Sequence, residues 1–93
     1  MQTIDLSNWS DLTDLERVFY EKAAYEQLLS YMAENNVGNH KEYFEEYKKV
    51  IKEYRYLCTK LEKEIIFPAT DNQGAVWEVD FVEKEVKIRK SAD

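Results

Sequence analysis

A single cysteine, a single proline, a single histidine and only two glycines occur in this 93-residue chain, and each scarcity excludes something. One cysteine, Cys58, excludes an intramolecular disulfide. One cysteine and one histidine, His40, are too few for a zinc site within one chain. His40 sits at a helix start, so a Ser/His/Asp or Cys/His device is not expected. The Glu-x-x-His pairs that build helical di-iron sites are missing. Gly38 and Gly74 form no phosphate-cradling loop. No catalytic residue, cofactor or metal is therefore expected. With so little glycine and proline, long regular elements are favoured over a loop-rich fold.

Long apolar runs are missing as well. No segment approaches the ~20 apolar residues of a membrane span. Met1–Ser10 lacks the basic start and apolar run of a signal peptide. The expectation is a soluble cytoplasmic protein with no membrane contact. The net charge of −6 is unevenly spread. Residues 11–36 carry Asp11, Asp14, Glu16, Glu21, Glu26 and Glu34 against Arg17 and Lys22, a balance of −4, whereas residues 39–67 come to +1. Direct nucleic-acid binding needs a basic footprint, which this chain does not have.

Tyrosine is plentiful. All seven lie in two helix-like segments: Tyr20, Tyr25 and Tyr31 in the first, Tyr43, Tyr47, Tyr54 and Tyr56 in the second. Its apolar body and polar tip suit half-wet contact surfaces.

The first helix is expected over residues 11–36. Thr13 and Glu16 have capping-box spacing, and Gly38 is the stop signal. Leu15, Val18, Tyr25, Leu29 and Met32 form one stripe, interrupted by Lys22. Tyr20, Ala24, Leu28 and Tyr31 form another on much of the opposite side, and a helix apolar on two sides usually has two neighbours. The second helix is expected over residues 40–67, with Asn39 as cap and Pro68 as terminator. Phe44, Tyr47, Ile51, Tyr54, Cys58, Leu61 and Ile65 fill positions a and d of a heptad pattern, with Tyr43, Val50 and Leu57 at g. The short Val37–Asn39 connection makes the helices antiparallel neighbours.

After a polar loop, Thr70–Gly74, the period changes to two. Residues 75–90 read as a β-hairpin whose two-residue loop, Glu83–Lys84, sets Phe81 opposite Val86, Val79 opposite Ile88, Asp80 opposite Lys87 and Glu78 opposite Arg89. Trp77, Val79 and Phe81 should then face the helices. Ile4 and Leu6 share one side of residues 2–6, which suits a short third strand. The fold class is α+β, one domain over residues 1–93: an antiparallel helical hairpin followed by a β-hairpin.

Several residues stand out as contact candidates. Lys22, inside an apolar stripe, either snorkels outward or meets an acid across an interface, where a single polar residue sets register or oligomeric state. Tyr56 lies outside the heptad core, flanked by Lys48, Lys52 and Arg55. It is either a hot spot for an acidic or aromatic partner or a ring lying flat on its own helix. Tyr20, Leu28 and Tyr31 mark the second face of the first helix. Glu45–Lys49 and Lys60–Glu64 have the spacing of solvated i,i+4 pairs.

The tail Gly74-Ala-Val-Trp-Glu-Val-Asp-Phe with Glu85-Val-Lys-Ile88, and the leading helix Leu12-Thr-Asp-Leu-Glu-Arg-Val-Phe-Tyr-Glu-Lys, resemble a group of small clostridial proteins. That group is named for CXXX-repeat peptide modification systems. Its members tend to carry a cysteine in the hairpin turn, where this chain has Glu83–Glu85. The resemblance implies a bacterial protein associated with a peptide-modification pathway, and it carries over no catalytic residue.

Together these features lead to the expectation of a non-enzymatic interaction or accessory module that binds protein partners and forms a homodimer. The alternative is an acidic decoy that mimics nucleic acid and blocks a nucleic-acid-handling enzyme, motivated by the acidic first helix. An enzyme would need residues shared across a dimer, such as Lys22 or His40 with a partner carboxylate.

Overall fold

Apolar residues that alternate along both ends of the chain meet on one strand. The computed structural model describes residues 2–35, 38, 40–70 and 75–90. Strand β1 (Gln2–Asp5) and strand β2 (Ala75–Asp80) both pair antiparallel with β3 (Glu85–Lys90), giving the order β1-β3-β2. Ile4, Val86 and Val79 form one row across the sheet, and Gln2, Ile88 and Trp77 another. Since side chains alternate between faces, these rows share the side that meets the helices. Val86 and Ile88, on the central strand, are buried, and Ile4, Trp77 and Val79 pack against them.

The hairpin register differs from the expected one by two residues. Val79 lies opposite Val86, Trp77 opposite Ile88, Glu78 opposite Lys87, Asp80 opposite Glu85 and Val76 opposite Arg89. The loop spans Phe81–Lys84 rather than Glu83–Lys84. Its chemistry is local. Asp80 Oδ1 accepts hydrogen bonds from the amides of Val82 and Glu83, both at 3.0 Å, and Lys84 takes the left-handed conformation with φ 55°. A two-residue slip keeps every side chain on its own face, so the apolar pattern tolerates both registers and the turn decides between them.

Helix α1 (Leu12–Glu34) begins without the expected capping box. Asp11 stands at the cap and makes no side-chain capping hydrogen bond. Its carboxylate instead meets Lys60 Nζ at 2.6 Å. At the other end, Asn35 closes the helix by donating from its amide and its side chain to the Tyr31 carbonyl, at 3.0 and 2.8 Å. Gly38 does not adopt positive φ and so is not a left-handed stop. Asn36, the expected Asn39 cap, most of the Val37–Asn39 connection and residues 71–74 of the polar loop lie outside the described residues.

The helical run that opens with α2 (His40–Leu61) continues past the expected end at residue 67. Glu62–Ile66 form a π-helical stretch, and α3 (Phe67–Thr70) follows with Pro68 inside it. A proline ring clashes with the carbonyl four residues back, here Glu64. In the wider π turn hydrogen bonds reach five residues back, as from the Phe67 amide to the Glu62 carbonyl, and the chain accommodates the ring without stopping. The Thr70 hydroxyl donates to the Ile66 carbonyl at 2.9 Å.

The buried arc of α2 is also rotated relative to the heptad reading. Val50 and Leu57, at g, are buried together with Leu61, whereas Ile51, Tyr54 and Cys58, expected in the seam, are only half-buried. The reason is that α2 must face α1 and the sheet together, which draws its inward face toward the g positions.

The core gathers at one end of the helical hairpin, where Leu6, Leu12, Leu15, Val18, Leu57, Leu61 and Ile66 meet Val86 and Ile88. Geometry imposes this. Helix α1 has 23 residues and is about 35 Å long, whereas a six-residue strand spans about 20 Å. The sheet covers roughly half of the helices and the rest projects. The extents are 47 × 29 × 21 Å and the radius of gyration is 15.9 Å, against about 12 Å for a compact domain of this length. Among the described residues, no helix is long and apolar enough to cross a membrane.

Candidate functional site

Where the helical hairpin leaves the sheet, packing is incomplete. A partly open cavity of about 170 Å³ lies between Leu15 and Phe19 of α1, Tyr54 and Cys58 of α2, and Trp77, Val79 and Phe81 on the β2 side. Heptad spacing on α2 and alternation on β2 bring these residues inward, and Phe19 closes the rim. The Phe19 ring stands 5.3 Å from Phe81, 5.5 Å from Tyr20 and 6.4 Å from Tyr54. Phe19 belongs to neither apolar stripe of α1. Its one available signal was its place between the two stripes.

The polar groups that line the cavity are Tyr54, Cys58 and Glu78. Burial, with the Cys58 thiol one turn on adding to it, pushes the Tyr54 phenol up to about 12. Burial also raises the Cys58 thiol, against the opposing pull of the Tyr54 hydroxyl. Both groups are neutral at pH 7, so Cys58 lacks the thiolate character of a reactive cysteine. Among the described residues, no three His, Cys, Asp or Glu side chains group as they would around a metal ion.

Lys22, 27% exposed, finds its acid on its own helix. Its Nζ lies 3.0 Å from Glu26 and 5.4 Å from the centre of the Tyr54 ring. Glu26 also accepts a hydrogen bond from the Tyr47 hydroxyl at 2.8 Å. Arg17 forms a similar bridge, to Glu21 at 2.7 Å within α1 and to Glu53 at 2.9 Å on α2. At the other end of the molecule Trp9 Nε1 donates to Glu64 at 2.9 Å and, with the Asp11–Lys60 pair, ties the segment after β1 to the end of α2.

The remaining candidates separate into distinct places. Lys48, Lys52 and Arg55 line a shallow groove with Phe44, Tyr47 and Ile51. Lys48 Nζ sits 4.9 Å from the Phe44 ring centre and 3.5 Å from Glu45. Tyr56, 64% exposed, does not line that groove, so Phe44 and Tyr47 are the aromatics that accompany these bases. Of the face expected on α1, Tyr20 leans toward the sheet, 6.2 Å from Phe81, while Leu28 and Tyr31 stay exposed on the projecting half. Of the two i,i+4 pairs read from the sequence, Lys49 pairs with Glu46 at 3.3 Å, and Lys60 with Asp11.

The class defined by this geometry is an α+β domain in which a long helical hairpin overhangs a three-stranded antiparallel sheet. No known protein family, curated protein or solved structure matches the chain.

Proposed function

We propose that this protein is a non-enzymatic interaction module that acts through contact surfaces and pairs with a second copy of itself through the projecting half of the helical hairpin. The observation that carries this reading is the exposure of large apolar side chains beyond the reach of the sheet. Tyr31 is 59% exposed, with Leu28 beside it on α1 and Tyr43 and Phe44 on α2. Packing two hairpins into a four-helix bundle buries such faces. Light scattering at micromolar concentration should report a dimer, and the double variant Leu28→Glu with Tyr31→Glu should report a folded monomer. A wild-type monomer overturns the pairing.

The tail's resemblance would set the module beside a peptide-modifying enzyme, for which inspection of the neighbouring genes is the direct test. The acidic-decoy alternative draws less support, because Glu21 and Glu26 of α1 and Glu53 of α2 are already paired with Arg17 and Lys22 inside the chain.

A further inference from the structure

We propose that the free edge of β2 docks an extended segment of a partner protein, in which apolar and basic residues alternate, as a fourth strand of the sheet. This rests on the reading of the chain as an interaction module and names what one of its surfaces takes.

The edge is open to pairing. β2 bonds to β3 on one side and ends the sheet on the other, leaving a row of backbone donors and acceptors. Proteins usually blunt such edges with proline or with charges, lysine above all. The six residues of β2, Ala-Val-Trp-Glu-Val-Asp, contain no proline or lysine, and their two charges are both acidic, so they repel an acidic strand but not a basic one. Val76, on the outer face, is 53% exposed.

Beneath this edge lies the cavity described above. Glu78 belongs to the outer face of the sheet yet borders the cavity, so the space reaches the strand's margin. Its volume of about 170 Å³ is close to that of a cavity that takes benzene, enough for one leucine- or phenylalanine-sized side chain. A second hollow shares Phe19, Glu78, Val79 and Phe81 with it and extends to Tyr20 and Val82 near the turn. Alternate side chains of a strand stand about 7 Å apart, so an incoming strand would fill both with residues i and i+2. In strand addition, backbone bonds supply affinity and such pockets supply specificity.

The charge pattern selects the partner. β3 already shows what β2 accepts on its paired side: Val86 and Ile88 inward, Lys87 and Arg89 outward. Glu78 lies opposite Lys87, but Lys87 Nζ leans toward Asp80, 3.9 Å away, and among the described residues Glu78 has no ion pair. Its carboxylate is exposed and open to a cation on the other side. The chain's net charge of −6 favours the same approach.

The probe is a blocked synthetic octapeptide alternating lysine with valine and leucine. Titrated into the wild-type protein, it should shift the backbone amide resonances of Ala75–Asp80 saturably. Methylating one alternate set of its amides should abolish binding and the other set should not. Glu78→Lys should weaken binding about five- to tenfold, as cross-strand attraction turns to repulsion, and should admit the peptide in which glutamate replaces lysine. The Leu28→Glu, Tyr31→Glu variant should bind the probe as the wild type does. Strand docking therefore fails or succeeds independently of pairing through the hairpin. No saturable shift, binding indifferent to both methylation sets, or equal binding to the glutamate peptide overturns the proposal. So does a change of oligomeric mass in Glu78→Lys, which would assign the edge to a second copy of this chain.

Discussion

Tyr47 on α2 donates its hydroxyl to Glu26 on α1 at 2.8 Å, and Lys22 holds the same carboxylate oxygen at 3.0 Å. A lysine that interrupts the apolar stripe of α1 is thereby turned into a link between the helices, with its ammonium near the Tyr54 ring. Lys22 and Tyr47 together hold the Glu26 carboxyl below its ordinary value of 4.5. A depressed carboxyl stabilises the fold above its ordinary value, and the contribution disappears as pH falls through the lower folded value. Glu26→Gln should therefore be less stable than wild type at pH 7, and the gap should close on acidification below about pH 4. Urea midpoints at the two pH values measure it; a gap that widens in acid would refute the linkage.

At the alkaline end the relevant group is Tyr54. Its folded value of about 12 lies above the ordinary 10.0. The unfolded phenol ionises first, so stability is intact below 10 and falls as pH rises toward 12. Tyr54→Phe should lose less stability than wild type over that window. Absorbance titration at 295 nm should show late-ionising tyrosines, since the bond to Glu26 raises Tyr47 as well, and the latest step should vanish in the variant.

Leu61 and Phe44 occupy the same heptad stripe but different environments. Leu61 is fully buried, whereas Phe44 lies on the projecting half. Leu61→Ala should cost about 2–5 kcal/mol. In the monomeric Leu28→Glu, Tyr31→Glu background, where no second copy covers it, Phe44→Ala should cost no more than about 1 kcal/mol. Equal losses in urea denaturation would restore the symmetrical heptad seam.

The turn after β2 holds Lys84 at φ 55°. Left-handed backbone disfavours a side chain by roughly 1–2 kcal/mol, so Lys84→Gly should raise stability, by up to about 1 kcal/mol once the glycine's extra unfolded freedom is deducted. Asp80→Ala should lower it through loss of the two amide bonds to Oδ1. Thermal midpoints moving in opposite directions are the expected pair of results.

Cys58 offers a chemical readout of the cavity. With its thiol raised by burial, alkylation at pH 8 should be at least about tenfold slower in the native protein than in urea. Tyr54→Phe removes the hydroxyl that opposes this shift. Its thiol should ionise at still higher pH. A lower thiol pKa in Tyr54→Phe would contradict that role of the hydroxyl.

Much of the fold was legible because two periods are written plainly in the chain. A 3.6-residue repeat announces α1 and α2, and a two-residue repeat announces β2 and β3. The errors share a cause: local patterns that admit two answers. Phe81 with Val86 and Val79 with Val86 are equally apolar pairs, so the strand register was undetermined until Asp80 and Lys84 shaped the turn. Pro68 is a helix terminator by local rule, and a π turn lifted that rule. The cavity was only partly legible. Spacing along the chain directs Tyr54, Cys58, Trp77, Val79 and Phe81 inward, but an inward direction does not say whether neighbours fill the space.

By itself, then, the sequence determined which segments are helical, which are extended and which face of each is apolar, because those follow from spacing along the chain. Only the tertiary structure decided that the sheet ends halfway along the helices, that β2 is left as an edge, and that Phe19 closes a cavity beneath it. These are matters of relative length and position. A helix rises about 1.5 Å per residue and a strand about 3.3 Å, and how far one overhangs the other depends on where Leu15, Leu61 and Ile88 lock together.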